Sequence, residues 1–475
     1  MTIHHPQPAR AAGRADGMGL NGQYHEFIAS KVLMASPCGF EADIDTPHLF
    51  EWQALIVQWA LGRGKAAVFA DTGLGKTRIQ LVWANAVANE TQGNVLILAP
   101  LGVVGQTSEE ARRIGIAVTS CRRQEDAQSG INITNYETLH NFDPSQFTGV
   151  VLDESSRIKS FDSKTRQTII GSFADTPYKL ACTATPAPND HMELGNHAEF
   201  VNAMTRAEML AMFFVHDGGQ TSQWRLKGHA RNEFWRWVAS WAVAVKRPSQ
   251  LGFDDAGYDL PPLNARHHAV AGKYQNGSLF NVAQGLTEQR KARRASLADR
   301  VGKAVDLVRT EPNESWVLWC ELNDEADALT AELPEAIEVR GSQSPDEKEH
   351  LLKAFSSGAA KVLVSKPSIC GHGLNWQHCA RTAFIGVGHS FEMYYQAIRR
   401  FWRFGQQRPV DVHLIYSESE LEVYENLMRK AKEAEHMTEQ MVKHMSLYGL
   451  SLEARRKDIY NPQERMVIPP WLSTA

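Results

Sequence analysis

The stretch Ala70-Asp71-Thr72-Gly73-Leu74-Gly75-Lys76-Thr77 constrains this chain more than any other. A short apolar run, Ala66 to Phe69, precedes it, and Ile79, Leu81, Val82, Ala86 and Val87 follow at helical spacing. In a strand, glycine loop and helix, backbone N–H groups converge on an anion and the helix N-terminus adds partial positive charge. Gly73 and Gly75 permit the tight curl, Lys76 can reach outer phosphates, and the Thr77 hydroxyl can hold Mg²⁺. Ala70 stands where the strict pattern has its first glycine. The rival reading is a lysine-bearing turn opening an ordinary helix. The flanking strand and helix favour a nucleotide site.

With 475 residues the chain exceeds what one core normally holds, so two or three domains are expected. Its apolar share of 43% and charged share of 22% suit a packed globular protein. No apolar run approaches the ~20 residues that span a bilayer. Residues 1–22 are polar and glycine-rich, without the apolar segment of a signal peptide. The six cysteines are scattered with no C-x-x-C spacing, which fits a reducing cytoplasm. A net charge of −4 means that any nucleic-acid contact must come from local basic surface.

Along the chain, residues 1–45 form an N-terminal extension and Leu49 to Leu61 reads as a helix carrying Gln53. Short apolar runs at 66–69, 95–99, 116–118, 131–134, 150–153 and 179–183 alternate with helical sequence over 46–205. That is an α/β pattern, a parallel sheet covered on both faces. Residues 206–262 break it and read as a helical insertion. There Trp224, Trp235, Trp237 and Trp241 interleave with Arg225, Lys227, Arg231, Arg236, Lys246 and Arg247. These either grip a nucleic acid or form a small core with outward cations. A second alternating unit over 263–420 has runs at 316–320, 336–339, 361–365, 383–386 and 410–415, and residues 421–475 make a helical tail. The run Arg290 to Arg294 is read as a solvated helix face rather than a phosphate-facing one.

Functional residues in such sheets sit at strand C-termini, here Pro100, Thr134-Asn135-Tyr136, Asp153-Glu154 and Thr183-Ala184-Thr185. The carboxylates can divide labour, Asp153 anchoring Mg²⁺ and Glu154 activating an attacking water. An acidic pair capping a helix is the alternative. Gln396 to Gln406 carries Arg399, Arg400 and Arg403; Arg400 and Arg403, three apart, fall on one helix face and suit the charge of a transferring phosphoryl group. A surface salt-bridge face is the alternative. Cys370, His372, His378 and Cys379 make a zinc site conceivable, but a poor competitor for that stretch.

In order, these blocks resemble superfamily-two helicases, and within them the Swi/Snf-type DNA translocases, over residues 46–420. Gln53 is similar to the adenine-reading glutamine and Ala70 to Thr77 to the phosphate loop. Ile97 to Pro100 and Ile133 to Glu137 look like strand-contacting motifs, which implies that Pro100, Thr134, Asn135 and Tyr136 touch nucleic acid. Asp153 to Ser160 is similar to Asp-Glu-x-His followed by Arg-Ile-Lys-Asn, with Ser156 in place of the histidine that links nucleotide state to the lobe interface. Thr183 to Asn189 resembles Thr-Gly-Thr-Pro-x-x-Asn, a coupling motif, so Thr183 and Thr185 are expected to couple. Gly371, Gly373 and Asn375 look like Gly-Leu-Gly-x-Asn, a further nucleic-acid contact. Gln396 to Gln406 is similar to Gln-Ala-x-x-Arg-x-x-Arg-x-Gly-Gln, with Arg399 replacing an acidic residue.

The resemblance implies two RecA-like lobes in tandem that close on ATP and Mg²⁺. Gln53, Thr72, Gly73, Gly75, Lys76 and Thr77 would hold the nucleotide, with Thr77 and Asp153 on the metal. Lys76, Asp153, Glu154, Arg400 and Arg403 would be catalytic, and Thr183, Thr185, Ser156 and Gln396 would couple hydrolysis to movement. The implied activity is that of a nucleic-acid-dependent ATPase moving along duplex DNA, with a DNA-processing or modification enzyme as a possible partner. A bacterial cytoplasm or a phage-infected host is the implied setting. Strand separation of DNA or RNA, and nucleotide-gated DNA binding with little turnover, are the two other classes the blocks allow.

Overall fold

Apolar runs buried on both faces build two parallel sheets. The computed structural model describes residues 35–448 except 45–46, 160–162, 217–223, 272–290, 292, 371–374, 387, 389 and 418–419. The first sheet contains β1 (Lys65–Ala70), β2 (Val95–Ala99), β3 (Val118–Ser120), β4 (Ile131–Asn135), β5 (Gly149–Asp153), β6 (Tyr178–Cys182) and β9 (Ala242–Val245). Its order is β3-β4-β2-β5-β6-β1-β9, with every neighbouring pair parallel. A small antiparallel hairpin, β7 (Phe214–His216) and β8 (Trp224–Leu226), stands apart from it.

The second sheet contains β10 (Leu263–Val270), β11 (Trp316–Cys320), β12 (Ile337–Val339), β13 (Val362–Ser365), β14 (Arg381–Ile385) and β15 (Val410–Ser417). Its order is β10-β15-β14-β11-β13-β12, again parallel throughout. The protein is therefore α/β, with two RecA-like parallel-sheet lobes in tandem.

Strand alternation divides each core in two. Leu96, Leu98, Val150 and Leu152 enter one cluster of the first lobe, while Val95, Ile97, Ala99 and Val151 enter the cluster on the opposite face. Successive strand residues point to opposite faces, so helices must cover both. Burying each such side chain stabilises the lobe by about 1.5–3 kcal/mol.

The sequence reading ends the first lobe at 205, but β9 pairs with β1, so the first sheet draws on residues to Val245. Ala242-Val243-Ala244-Val245 follows a tryptophan-rich helix, Arg231–Trp241, without a turn signal, and so reads as part of that helix. Trp235, Trp237 and Trp241 are buried in the first lobe's core, which decides for the core reading over a nucleic-acid grip. β10 is also unanticipated, because Arg266-His267-His268 makes it polar; it lies at the sheet edge with mostly exposed residues. Third, Arg293 is not solvated: its Nε donates to the buried Glu420 at 2.9 Å.

The last described helix, Leu421–Tyr448, joins the lobes. Its start packs Val423 and Leu427 on Phe391 and Tyr416 of the second lobe. Its far end places Met437 and Met441 in one core of the first lobe and Met445 in the other. Among the described residues no helix is long and apolar enough to cross a membrane.

Candidate functional site

The phosphate loop leaves β1 and enters the helix Lys76–Thr91 through two residues with positive φ, Gly73 at 90° and Gly75 at 74°. Both glycines are also required by space. A Cβ on Gly75 would lie 2.4 Å from Gln53 Nε2, and one on Gly73 would lie 3.1 Å from the Phe404 backbone N of the second lobe. Gln53 is buried and uses both ends of its amide: Oε1 accepts from Phe50 N, and Nε2 donates to Leu74 O at 3.0 Å. It therefore splints the loop. Lys76 Nζ folds back on Ala70 O at 2.8 Å and Asp71 O at 3.3 Å. Thr72 and Thr77 lie beside it, half-buried, Thr77 in the first turn of the helix.

Asp153 ends β5 directly opposite. Gln80 Nε2 donates to its Oδ1 at 2.8 Å. Burial, then the charge of Glu154, pushes the Asp153 carboxyl up to about 6. Glu154 has a left-handed backbone, φ 54°, unusual without glycine and costly enough to mark a functional position. Its Oε2 accepts from Thr183 Oγ1 at 3.2 Å, and Thr183 Oγ1 in turn accepts from Thr185 N at 3.1 Å. Ser156 is buried in the turn Ser155–Ile158, and it is Ser155 that meets an imidazole, His197 Nε2, at 3.0 Å. Burial drives that histidine down to about 4, so it is neutral.

The second lobe brings its arginines to this cleft by a route other than the expected helix face. The helix Phe391–Ile398 stops just before Arg399, and Gln406 Nε2, within bonding distance of Gln377 O, Cys379 O and Phe401 O, pins the turns that follow. Arg400 is buried, and its guanidinium is lowered to about 9 by burial and by Arg403, with Glu154 acting in the opposite sense. Burial and Arg399 lower Arg403 to about 10, and the Arg403 Cβ would be 3.7 Å from a Cβ on Gly73. Guanidiniums depressed by burial and by a neighbouring guanidinium are poised for an anion.

Several buried polar atoms at this seam have no hydrogen-bond partner among the described residues: Thr185 Oγ1, Gln80 Oε1, Gln396 Oε1 and Arg403 Nε. Such atoms in a folded protein call for a ligand or water. Glycine amides, Lys76, the Asp153 carboxylate and facing cations make a donor set that fits a polyphosphate with a divalent cation. A cavity of about 460 Å³ adjoins the loop, walled by Asp71, Thr72, Tyr395, Arg399, Trp402 and Phe404.

The expected nucleic-acid contacts fare differently. Thr134, Asn135 and Tyr136 are buried and bond within the first lobe. Thr134 Oγ1 bonds Thr138 Oγ1, Asn135 Oδ1 accepts from Thr138 N, and Tyr136 OH donates to Asp153 O at 2.6 Å. Pro100 is buried at the start of the helix Leu101–Arg113, next to an exposed Leu101. Asn375 is exposed, while Gly371 and Gly373 lie outside the described residues. Cys370 and Cys379 are buried, and no group of three metal-ligating side chains occurs among the described residues. Sequence reasoning missed Gln80, one turn after Lys76 on the same helix and therefore findable, and it missed the Asp71–Arg399 pair.

Residues 52–209 match the SNF2-related domain family, and residues 299–405 match the helicase conserved C-terminal domain. Together these matches cover more than half of the chain, and they fall on the first and second lobes respectively. The chain belongs to the Swi/Snf-type branch of the superfamily-two helicases, a helicase-like motor fold. It is similar to the protein p41 of Acyrthosiphon pisum secondary endosymbiont phage 1, with 24% identity over 451 residues that cover 81% of this chain and 96% of p41.

Proposed function

We propose that the chain is an ATP-dependent translocase that hydrolyses ATP between its lobes while tracking along duplex DNA. The observation that carries this reading is that Arg400 of the second lobe feels the charge of Glu154 and Arg403 stands against Gly73 of the phosphate loop, whose Lys76 in turn acts on Asp153. In this scheme the loop amides and Lys76 bind the phosphates, and Thr77 and Asp153 hold Mg²⁺. The cation would neutralise phosphate charge when bound. Glu154, oriented by Thr183, takes the proton from the attacking water. Arg400 and Arg403 stabilise the charge that spreads over the transferring group.

Thr183 and Thr185 tie Glu154 to the loop after β6, and with Ser156 and Gln396, whose buried Oε1 has no partner among the described residues, they are the proposed coupling residues. Pro100, Thr134, Asn135 and Tyr136 of the first lobe and Gly371, Gly373 and Asn375 of the second remain the proposed DNA contacts. Contact of both lobes with one phosphate backbone is independent of sequence and weakens steeply with salt. We place the protein in a bacterial cell or phage-infected host, beside an enzyme of DNA processing or modification; the similarity to a phage protein supports the setting. A triplex-displacement assay run beside a forked-duplex assay tests the translocase. Displacement of the third strand with the fork left paired is expected, whereas fork opening without triplex displacement means a strand-separating helicase.

A further inference from the structure

One face of a short second-lobe helix is built to hold the first lobe. On Phe391–Ile398 and the residue after it, Glu392, Tyr395 and Arg399 recur at three- and four-residue spacing, hence on one side. Each reaches a polar partner across the seam. Glu392 pairs with Lys159, which follows the Asp153-Glu154 turn. Tyr395 OH bonds the Asp71 carboxylate, and Arg399 Nη2 meets the other oxygen of that carboxylate at 2.6 Å and Thr72 O at 2.9 Å. The Arg399 side chain is only 4% exposed and lies 5.0 Å from the centre of the Trp402 ring. Asp71 and Thr72 belong to the phosphate loop, yet the bonds use the Asp71 side chain and the Thr72 carbonyl. The Asp71 carboxylate also accepts from Thr72 N at 2.6 Å, so the latch and the turn of the loop share one side chain.

We propose that Arg399, assisted by Tyr395, is a positioning residue that latches the second lobe onto the phosphate loop through Asp71, holding the cleft near its closed geometry before nucleotide arrives. The consequence for turnover rests on the ATPase reading above; the latch itself does not. A charge pair so thoroughly removed from water is costly to break by deleting one partner, because the other is left buried and alone. With the latch made, nucleotide binding does not have to supply the whole free energy of closure. The arginine that departs from the family pattern in the sequence is the one that makes this contact.

The test uses the full chain with spin labels at two exposed positions, Asn89→Cys in the first lobe and Lys353→Cys in the second, in a Cys38→Ser background that removes the exposed native thiol. Without nucleotide, the latched protein should give one narrow inter-lobe distance. Arg399→Gln and Asp71→Asn should each broaden and lengthen it, and the double variant should be no worse than either single one. Arg399→Lys should restore part of the narrow distribution, which an unfolded variant could not do. In steady-state ATPase assays Arg399→Gln should raise KM on the order of tenfold with kcat changed much less. An unaltered distance distribution in both single variants, or additive effects in the double variant, overturns the latch. Because the distance is read without ATP, a protein that fails to hydrolyse ATP would refute the motor and still report on the latch.

Discussion

Thr183 donates its hydroxyl to Oε2 of Glu154 at 3.2 Å, so the carboxylate at the end of one strand is held by the loop leaving the next. The bond fixes where Glu154 points in a backbone conformation, φ 54°, that few side chains adopt. Glu154→Gln should therefore keep nucleotide affinity within a few-fold and lower hydrolysis by about 10²–10⁴. Thr183→Val should lower kcat by a smaller factor with little effect on KM. Nucleotide titration beside steady-state kinetics checks both, and a Glu154→Gln protein with wild-type turnover would refute the assigned base.

Arg403 acts on Arg400, and Arg399 on Arg403, in a buried seam. Arg400→Ala and Arg403→Ala should each reduce hydrolysis by about 10³, the usual effect of an arginine finger. Lysine at either position should recover little, because an ammonium lacks the planar fork. Single-turnover hydrolysis and a thermal scan together separate this from simple unfolding.

The Asp153 carboxyl, raised to about 6 by burial and then by Glu154, gives a pH signature. Its folded pKa exceeds the unfolded value of 3.8, so the stability deficit from this group is absent at low pH, grows as pH rises between these values, and is complete above about 6. Mg²⁺ needs the deprotonated form and competes with the proton for it, so the Mg²⁺ concentration for half-maximal activity should rise as pH drops through about 6. Asp153→Asn should raise thermal stability near pH 8 by about 1–3 kcal/mol and abolish Mg²⁺-dependent turnover. A Mg²⁺ concentration for half-maximal activity that does not change between pH 8 and pH 5 would exclude Asp153 as the ligand.

Gly73 joins backbone freedom to lobe contact. At φ 90°, with the Phe404 backbone N 3.1 Å from where a Cβ would stand, Gly73→Ala should cost about 1–3 kcal/mol and loosen the seam. Gly102, which has open space, is the matched control. Differential scanning of Gly73→Ala and Gly102→Ala should place most of the loss in the first.

The long helix Leu421–Tyr448 makes a prediction about stability alone. Met441 is 4% exposed in the core of the lobe opposite to the one where this helix begins. Met441→Ala should destabilise the first lobe by about 2–5 kcal/mol. Chemical denaturation followed by tryptophan fluorescence reads it directly, since Trp235, Trp237 and Trp241 share that core.

What the sequence reveals follows from how local each signal is. β2 and β11 lie where continuous apolar runs put them, because a strand buried on both faces leaves no polar position to blur it. β10 escapes notice because it sits at an edge, where Arg266 and His267 can face water. β9 escapes because its apolar run abuts a helix with no breaker between. The loop residues Gly73, Gly75 and Lys76 and the carboxylates Asp153 and Glu154 are readable from motif and context. Tyr136 has the residue type of a surface contact, yet its hydroxyl is spent on Asp153 O, a long-range bond that no local pattern announces. The Asp71–Arg399 pair joins positions more than three hundred residues apart, so only the assembled lobes reveal it.

Steady-state ATP hydrolysis measured without nucleic acid and with duplex DNA, single-stranded DNA and RNA, each at low and high salt, tests the motor most directly. The account predicts a low basal rate, strong stimulation by duplex DNA that salt suppresses, and loss of the stimulated rate in Arg403→Ala. Hydrolysis that is absent throughout, or that ignores duplex DNA, would contradict it.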